Sequence, residues 1–142
     1  MTTKRFFHPN GQIRVEMPQV NGKSHGLVRE WHPNGSLAGE IPMEQGNQNG
    51  EAKRWSVDGR LLGAYSLSNG TGIFRKWHDS GILASETELV DGIPTGRQRC
   101  WDEKGEFIAE SYWIRGKKVS KKRYEEAARS DPDLPKYSNV TT

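Results

Sequence analysis

Apolar and polar residues alternate along this chain in short runs, and the runs return on a fixed beat. Leu27-Val28-Arg29-Glu30-Trp31-His32 suits a strand, Pro33-Asn34-Gly35 a turn, and Ser36-Leu37-Ala38-Gly39-Glu40-Ile41 a second strand. Glu44 to Gly50 then reverses the chain again, so the unit is a hairpin plus a return loop. Five copies follow one another. Their turn glycines are Gly11, Gly35, Gly59, Gly81 and Gly105, spaced 24, 24, 22 and 24 residues apart. Gly22, Gly46, Gly70, Gly92 and Gly116 form a second column. Gly26, Gly50, Gly72 and Gly96 form a third, with Ser120 in the fifth place. An aromatic stands four residues before each turn glycine (Phe7, Trp31, Trp55, Trp77, Trp101), and an apolar residue two after it (Ile13, Leu37, Leu61, Leu83, Phe107). Columns that keep step through a two-residue deletion before Gly72 are not chance, and a period of 22–24 residues marks a tandem array.

Turn chemistry selects the register. The residue before each turn glycine is Asn10, Asn34, Asp58, Ser80 or Lys104. A type I′ turn needs positive φ at both central residues, which Ser and Lys accept poorly; a type I turn followed by one left-handed glycine needs only the glycine. That three-residue loop sets Trp31 opposite Leu37, and every repeat then pairs an aromatic with an apolar residue across its hairpin. Strands ~4.8 Å apart put successive aromatics ~10 Å from one another, with the Leu column between them. The expectation is a Trp–Leu stripe on one face. The Glu column (Glu16, Glu40, Glu86, Glu110) is expected on the opposite, wet face. Pro18 and Pro42 lack an N–H and are expected to end the second strand or mark a bulge.

Composition narrows the class. Hydrophobic residues are only 32% of the 142, and mean hydropathy is −0.87, which excludes a thick two-layer core. Five Trp, four Tyr and four Phe exclude a disordered chain, so aromatics do the packing. A net charge of +3 is too small to indicate nucleic-acid binding. Cys100, the single cysteine, allows no intrachain disulfide. No apolar run suits a signal peptide or a membrane span, and the expected location is the cytoplasm.

Trp31-His32-Pro33-Asn34-Gly35-Ser36-Leu37, the return loop Asn21-Gly22-Lys23-Ser24-His25-Gly26, and their copies resemble the MORN repeat family, and more closely the MORN-variant repeats of YwqK-type bacterial antitoxins. The resemblance covers roughly residues 4–120. It implies an all-β array that binds partners, toxin neutralisation being one role; MORN repeats are also linked to membrane association and dimerisation. The expected fold is all-β: tandem MORN-like β-hairpin repeats in one elongated antiparallel meander sheet, with a short C-terminal capping helix and a tail. The repeats fall at about 4–26, 27–50, 51–72, 73–96 and 97–119, the helix at 120–129 and an extended or disordered tail at 130–142. The third repeat departs from the pattern, with Ala64 in the Glu column and Ser56 in the His column.

A basic residue precedes each turn glycine by six: Arg5, Arg29, Lys53, Arg75 and Arg99, with Arg123 continuing the column. In the chosen register it shares the Trp face, either as a cationic stripe or as stems lying across neighbouring rings. His8, His32 and His78 occupy equivalent positions, and equivalent residues of an array run in a row instead of converging on a metal. Nothing around Cys100 resembles a nucleophile signature, and the glycines form no phosphate loop. No catalytic, cofactor or metal residue is therefore assigned.

The C-terminal segment breaks the pattern. Lys117, Lys118, Lys121, Lys122 and Arg123 put five basic residues within seven. Ser120 is an expected N-cap for a helix from Lys121 to Ala128, which would protect the end of an open sheet. Leu134 and Tyr137 are expected to dock on the array or on a partner, and Ser138 to Thr142 to be disordered. The leading functional expectation is a protein-binding module of antitoxin or immunity type that occludes its partner, a toxin in that case. Its candidate anchors are Arg29, Arg75 and Arg99, the edges of Trp31, Trp77 and Trp101, and Tyr137. The alternative is a membrane-peripheral adaptor holding anionic lipid through the basic cluster. An open sheet edge also leaves a place for a second copy to pair.

Overall fold

The computed structural model describes residues 1–137, so the stretch expected to be disordered, 138–142, lies outside the described residues. Thirteen strands run in chain order: β1 (Thr2–Phe7), β2 (Ile13–Val20), β3 (Lys23–Ser24), β4 (Gly26–Trp31), β5 (Leu37–Glu44), β6 (Asn47–Gln48), β7 (Gly50–Trp55), β8 (Leu61–Ser68), β9 (Thr71–Trp77), β10 (Leu83–Val90), β11 (Ile93–Trp101), β12 (Phe107–Ile114) and β13 (Lys117–Val119). One helix, α1 (Lys121–Ser130), comes after them. All the strands join one antiparallel sheet in the order β1-β2-β4-β5-β7-β8-β9-β10-β11-β12-β13, with β3 beside β2 and β6 beside β5. The expected open meander with its C-terminal helix is what forms.

The hairpin tips have the expected chemistry. In the second repeat the Gly35 N–H donates to the His32 carbonyl at 2.9 Å, and the His32 N–H to the Ser36 carbonyl at 2.8 Å. Gly35 has φ +89°, and Gly11, Gly59, Gly81 and Gly105 are likewise left-handed. The pairing agrees with the turn: Phe7 pairs with Ile13, Trp31 with Leu37, Trp55 with Leu61, Trp77 with Leu83 and Trp101 with Phe107, each past a bulge. The type I′ geometry belongs to the return turns instead. There Asn21, Gln45, Asn69, Asp91 and Arg115 all have φ between 46° and 53°, each followed by a left-handed glycine.

Pro18 and Pro42 do not end their strands, since β2 and β5 run through them. It is the partner strand that breaks. β3 and β4 separate at His25, and β6 and β7 at Asn49, whose N–H groups donate to the carbonyls of Pro18 and Pro42 at 3.0 Å. β9, after the two-residue deletion, and β11, whose return loop keeps its full length, both run unbroken from their turns, to Trp77 and Trp101.

The faces differ from expectation. The core is a column absent from the Trp–Leu stripe: Val28, Ile41, Ala52, Tyr65 and Leu67 are buried, with Val15, Met17, Met43, Phe74, Trp77 and Leu89 packed against them. Leu61 and Phe107, expected as filler between the rings, are each 57% exposed. Trp77 stacks on Tyr65 at 6.5 Å between ring centroids, beside a Tyr65–Phe74 edge contact at 4.9 Å. Phe74 alternates with Arg75, so this inner face is opposite the one that carries Arg75. Past the register shift at each tip, period two no longer determines which side an aromatic takes. The Arg column therefore does not share the face of Trp77, and the Glu column is not alone on a wet one. Glu and Arg lie directly across from each other on the same outer face: Arg5–Glu16 at 3.3 Å, Arg29–Glu40 at 3.2 Å, Arg75–Glu86 at 2.8 Å and Arg99–Glu110 at 2.9 Å. The third repeat leaves a gap, where Lys53 faces Ala64 and contacts Glu51 of its own strand at 3.7 Å.

Repeats are stitched at both ends. His8, His32 and His78 each hydrogen bond through Nε2 to the carbonyl of the next repeat's aromatic (Trp31, Trp55, Trp101) at 2.8 to 3.0 Å. Ser56, in the third repeat, instead closes its own turn on Asp58 and Arg60, and Arg60 reaches the Asp79 carbonyl at 3.1 Å in its place. The return turns stack the same way, with the Gly46, Gly70, Gly92 and Gly116 N–H groups donating to the preceding loop at 2.7 to 2.9 Å.

Candidate binding surface

The repeat scaffold ends at Ser120, and the helix and tail beyond it fold onto the outer face of the last repeat. Ser120 caps α1 as expected, its side chain accepting from the Arg123 N–H at 3.1 Å. The helix buries Tyr124 and Ala128 against Tyr112, and Leu134 of the tail closes the cluster. Tyr112, Tyr124 and Tyr137 form a knot of three rings with centroids 5.4 to 6.5 Å apart. Tyr137 lies flat against the Arg97 guanidinium, 3.6 Å from carbon to ring centroid, and its hydroxyl donates to Glu88. Burial, and then that bond to the Glu88 carboxylate, push the Tyr137 phenol well above its ordinary value. Arg115 bridges the helix end to the sheet through Asp131 at 2.8 Å, and this bond holds the Asp131 carboxyl below its ordinary value.

Between α1, the tail and the outer face lies a cleft of about 400 Å³. Its walls carry Arg97, Arg99, Lys121, Arg129 and Lys136, opposed by Glu110 and Glu125. Arg99 and Arg97 share Glu110, at 2.9 and 3.8 Å. Tyr112 and Tyr124 lie buried beneath the cleft, Tyr137 forms part of its wall, and the cations stand around it. Such a site matches a carboxylate- or phosphate-bearing surface by charge and by guanidinium geometry.

Of the expected anchors, Arg99 and Tyr137 line this cleft, and Lys121, expected as part of the basic cluster, joins them there. Arg29 and Arg75 lie in earlier repeats of the same outer face, each tied to its Glu. Trp77 is committed to the inner face. Trp31 and Trp101 are half-buried at the hairpin tips, Trp101 meeting Phe107 edge-on at 6.2 Å. Lys117, Lys118, Lys122 and Arg123 are exposed and do not line the cleft, and Arg123 sits on the helix instead of continuing the Arg column. Sequence reasoning missed Arg97, Arg129 and Lys136, which occupy no repeated column. The one signal for them was the leftover apolar pair Leu134 and Tyr137, which forces the tail back over the sheet. Cys100 is the next-to-last residue of β11, opposite Ser85 and Ala109. Among the described residues no three His, Cys, Asp or Glu converge as a metal site, and no helix is long and apolar enough to cross a membrane.

Comparison with known families places the first repeats. A family model described as the MORN repeat variant matches residues 3–21 and 24–45. These two stretches are similar to MORN-type repeats. They cover the first two hairpins, and the later hairpins repeat their turn, bulge and register. MORN repeats generally serve as protein- or membrane-binding modules. A search of curated proteins found no match, and neither did a search of solved structures.

Proposed function

We propose that this chain is a non-catalytic, cytoplasmic protein-binding module that takes an acidic surface of its partner into the cleft beneath α1 and thereby occludes it. Residues 4–119 act as the platform, and the helix and tail shape the site. The observation that carries this reading is the distribution of charge. The cleft sets five cations against two carboxylates, an excess of +3 that equals the formal net charge of the whole chain. Along the earlier repeats of the same face the Arg column is neutralised by its Glu partners, and Lys117, Lys118, Lys122 and Arg123 form a separate exposed cluster at the cleft's end of the molecule. Arg99, Lys121 and Arg129 are the anchors, with Tyr137 as wall. Arg29 and Arg75, and the edges of Trp31 and Trp101, extend the contact along the array. Residues at the desolvated centre of a contact carry most of its energy, and Arg and Tyr are enriched there. An antitoxin or immunity-type role is the form this binding takes if the resemblance to YwqK-type proteins extends to function.

The test is capture from cell extract by the wild-type chain and by a Lys121→Glu/Arg129→Glu variant in parallel, followed by calorimetric titration of the captured protein. Both side chains are exposed, so the melting temperature should barely move while affinity falls at least about tenfold, or ~1.4 kcal/mol. Equal affinity for both chains would remove the cleft from the interface.

A second reading rests on Lys117, Lys118, Lys122 and Arg123, which are exposed at the same end of the molecule outside the cleft. Four such residues suit an anionic lipid surface. Co-sedimentation with phosphatidylserine vesicles, lost when these four are replaced by Gln, would favour it over the first.

A further inference from the structure

The two ends of the sheet carry complementary halves of the joint that links one repeat to the next. At three of the four joints inside the array, the tip half of the second strand pairs with the first strand of the following repeat: Val15 with Glu30 and Glu16 with Arg29, Gly39 with Arg54 and Glu40 with Lys53, Ser85 with Cys100 and Glu86 with Arg99. The third joint pairs only at Leu67–Gly72 and Ser68–Thr71. In the last repeat no described residue takes this half. β13 pairs with β12 only from Tyr112 to Ile114, and α1 then turns away over the outer face. Phe107, Ile108, Ala109 and Glu110 are all exposed, Ile108 by 62%. At the other end, all six residues of β1 are exposed, and no described residue pairs with its outer edge. A strand edge with unmet N–H and C=O groups next to exposed apolar side chains is a template for another strand.

Charge determines which edge meets which. Along the outer face the ladder alternates in sign except at Ala64, with Arg5 at the β1 edge and Glu110 at the β12 edge. Joining two β1 edges brings two Arg5 columns together, and joining two β12 edges brings two Glu110 columns together. Only β12 against β1 continues the alternation. We propose that the chain self-associates head to tail, β1 of one copy adding to the free half of β12 of the next. The register is the one the repeats use internally: Ala109 opposite Phe6 and Glu110 opposite Arg5 of the second copy. Phe6 and Phe7, 42% and 59% exposed, then meet Ala109, Phe7 covering it as Trp77 covers Gly63, with exposed Ile108 beside the joint. Such a joint is heterologous and leaves one free end of each kind, so it builds chains or closed rings and not only dimers.

The experiment is analytical ultracentrifugation of the full chain over a concentration series, with Arg5→Glu, with Glu110→Arg, and with the two variants mixed. For the wild type, the weight-average mass should climb past that of a dimer. Each variant alone sets like charges across the joint and should stay monomeric, while their equimolar mixture restores opposite charges at both kinds of joint and should associate again. Because each reversal also touches an ion pair within its own chain, Ile108→Asp serves as a second block that breaks none, and it too should abolish association. A wild type that remains monomeric throughout, association of either reversal alone, or a mixture that stays monomeric while both variants melt like the wild type would overturn the proposal.

Discussion

Gly63 is the position where the inner face tolerates least. It lies in β8 opposite Arg54, and the Trp77 indole of the next repeat rests directly on it. A Cβ added there would fall inside the van der Waals radii of Cζ2 and Cε2, and 2.8 Å from Nε1. The ring cannot slide off freely, because it is stacked on Tyr65, itself 3% exposed. Overpacking of this kind costs ~1–3 kcal/mol. Against it stands the usual benefit of replacing glycine where φ is ordinary, about 0.4–1 kcal/mol from the unfolded chain. The clash wins, and Gly63→Ala should destabilise by roughly 1–2 kcal/mol, lowering the melting temperature by roughly 3–8 °C for a chain of this size. Urea and thermal unfolding followed by tryptophan fluorescence would measure it. The decisive comparison is the same substitution in a Trp77→Leu background. With the ring gone the clash disappears, so Gly63→Ala should become neutral or stabilising, a coupling of about 1 kcal/mol or more. Equal losses in both backgrounds would mean that Trp77 does not rest on Gly63, and the assignment of this ring to the inner face would fall with it.

Three other outcomes are expected from the geometry. His78→Ala removes the bond to the Trp101 carbonyl and should cost ~0.5–1.5 kcal/mol, with faster amide exchange confined to the seam between the fourth and fifth repeats; a loss spread evenly over the array would argue against a local stitch. Ala64→Glu fills the gap opposite Lys53 and should stabilise by ~0.2–1 kcal/mol at low salt, the gain fading as salt rises. Tyr137 holds its proton above the ordinary tyrosine range when folded, so its contribution is complete below that range and is lost as pH rises through it. In a phenolate absorbance titration of wild type against Tyr137→Phe, the last of the four tyrosines to ionise should be the one that vanishes.

The hairpins were legible in the chain because each is encoded locally and five times over. A left-handed glycine after a type I turn, an aromatic four residues before it and an apolar residue two after it specify the same pairing in every copy, and Trp31 meets Leu37 as that pattern requires. Ser120 announced its helix for the same reason, since a cap acts on the residues next to it. Which face the rings take was not legible. The bulge at each tip breaks the two-residue alternation from which sides are inferred, and the true core column is apolar only in the middle of the array. It reads Val28 and Ile41, then Ala52 and Tyr65, but Lys4 and Gln98 toward the ends, where nothing would bury it. The histidine stitches escaped as well, because each spans 23 residues and joins a side chain to a backbone carbonyl, which has no residue identity to repeat. The cleft was the least visible of all. Arg97, Arg129 and Lys136 come from a strand, a helix and a tail that occur once each, and only the docking of Tyr124, Leu134 and Tyr137 onto Tyr112 brings their charges to one place. Repetition writes local geometry into a sequence many times, whereas a contact made once between distant segments exists only after the chain has folded.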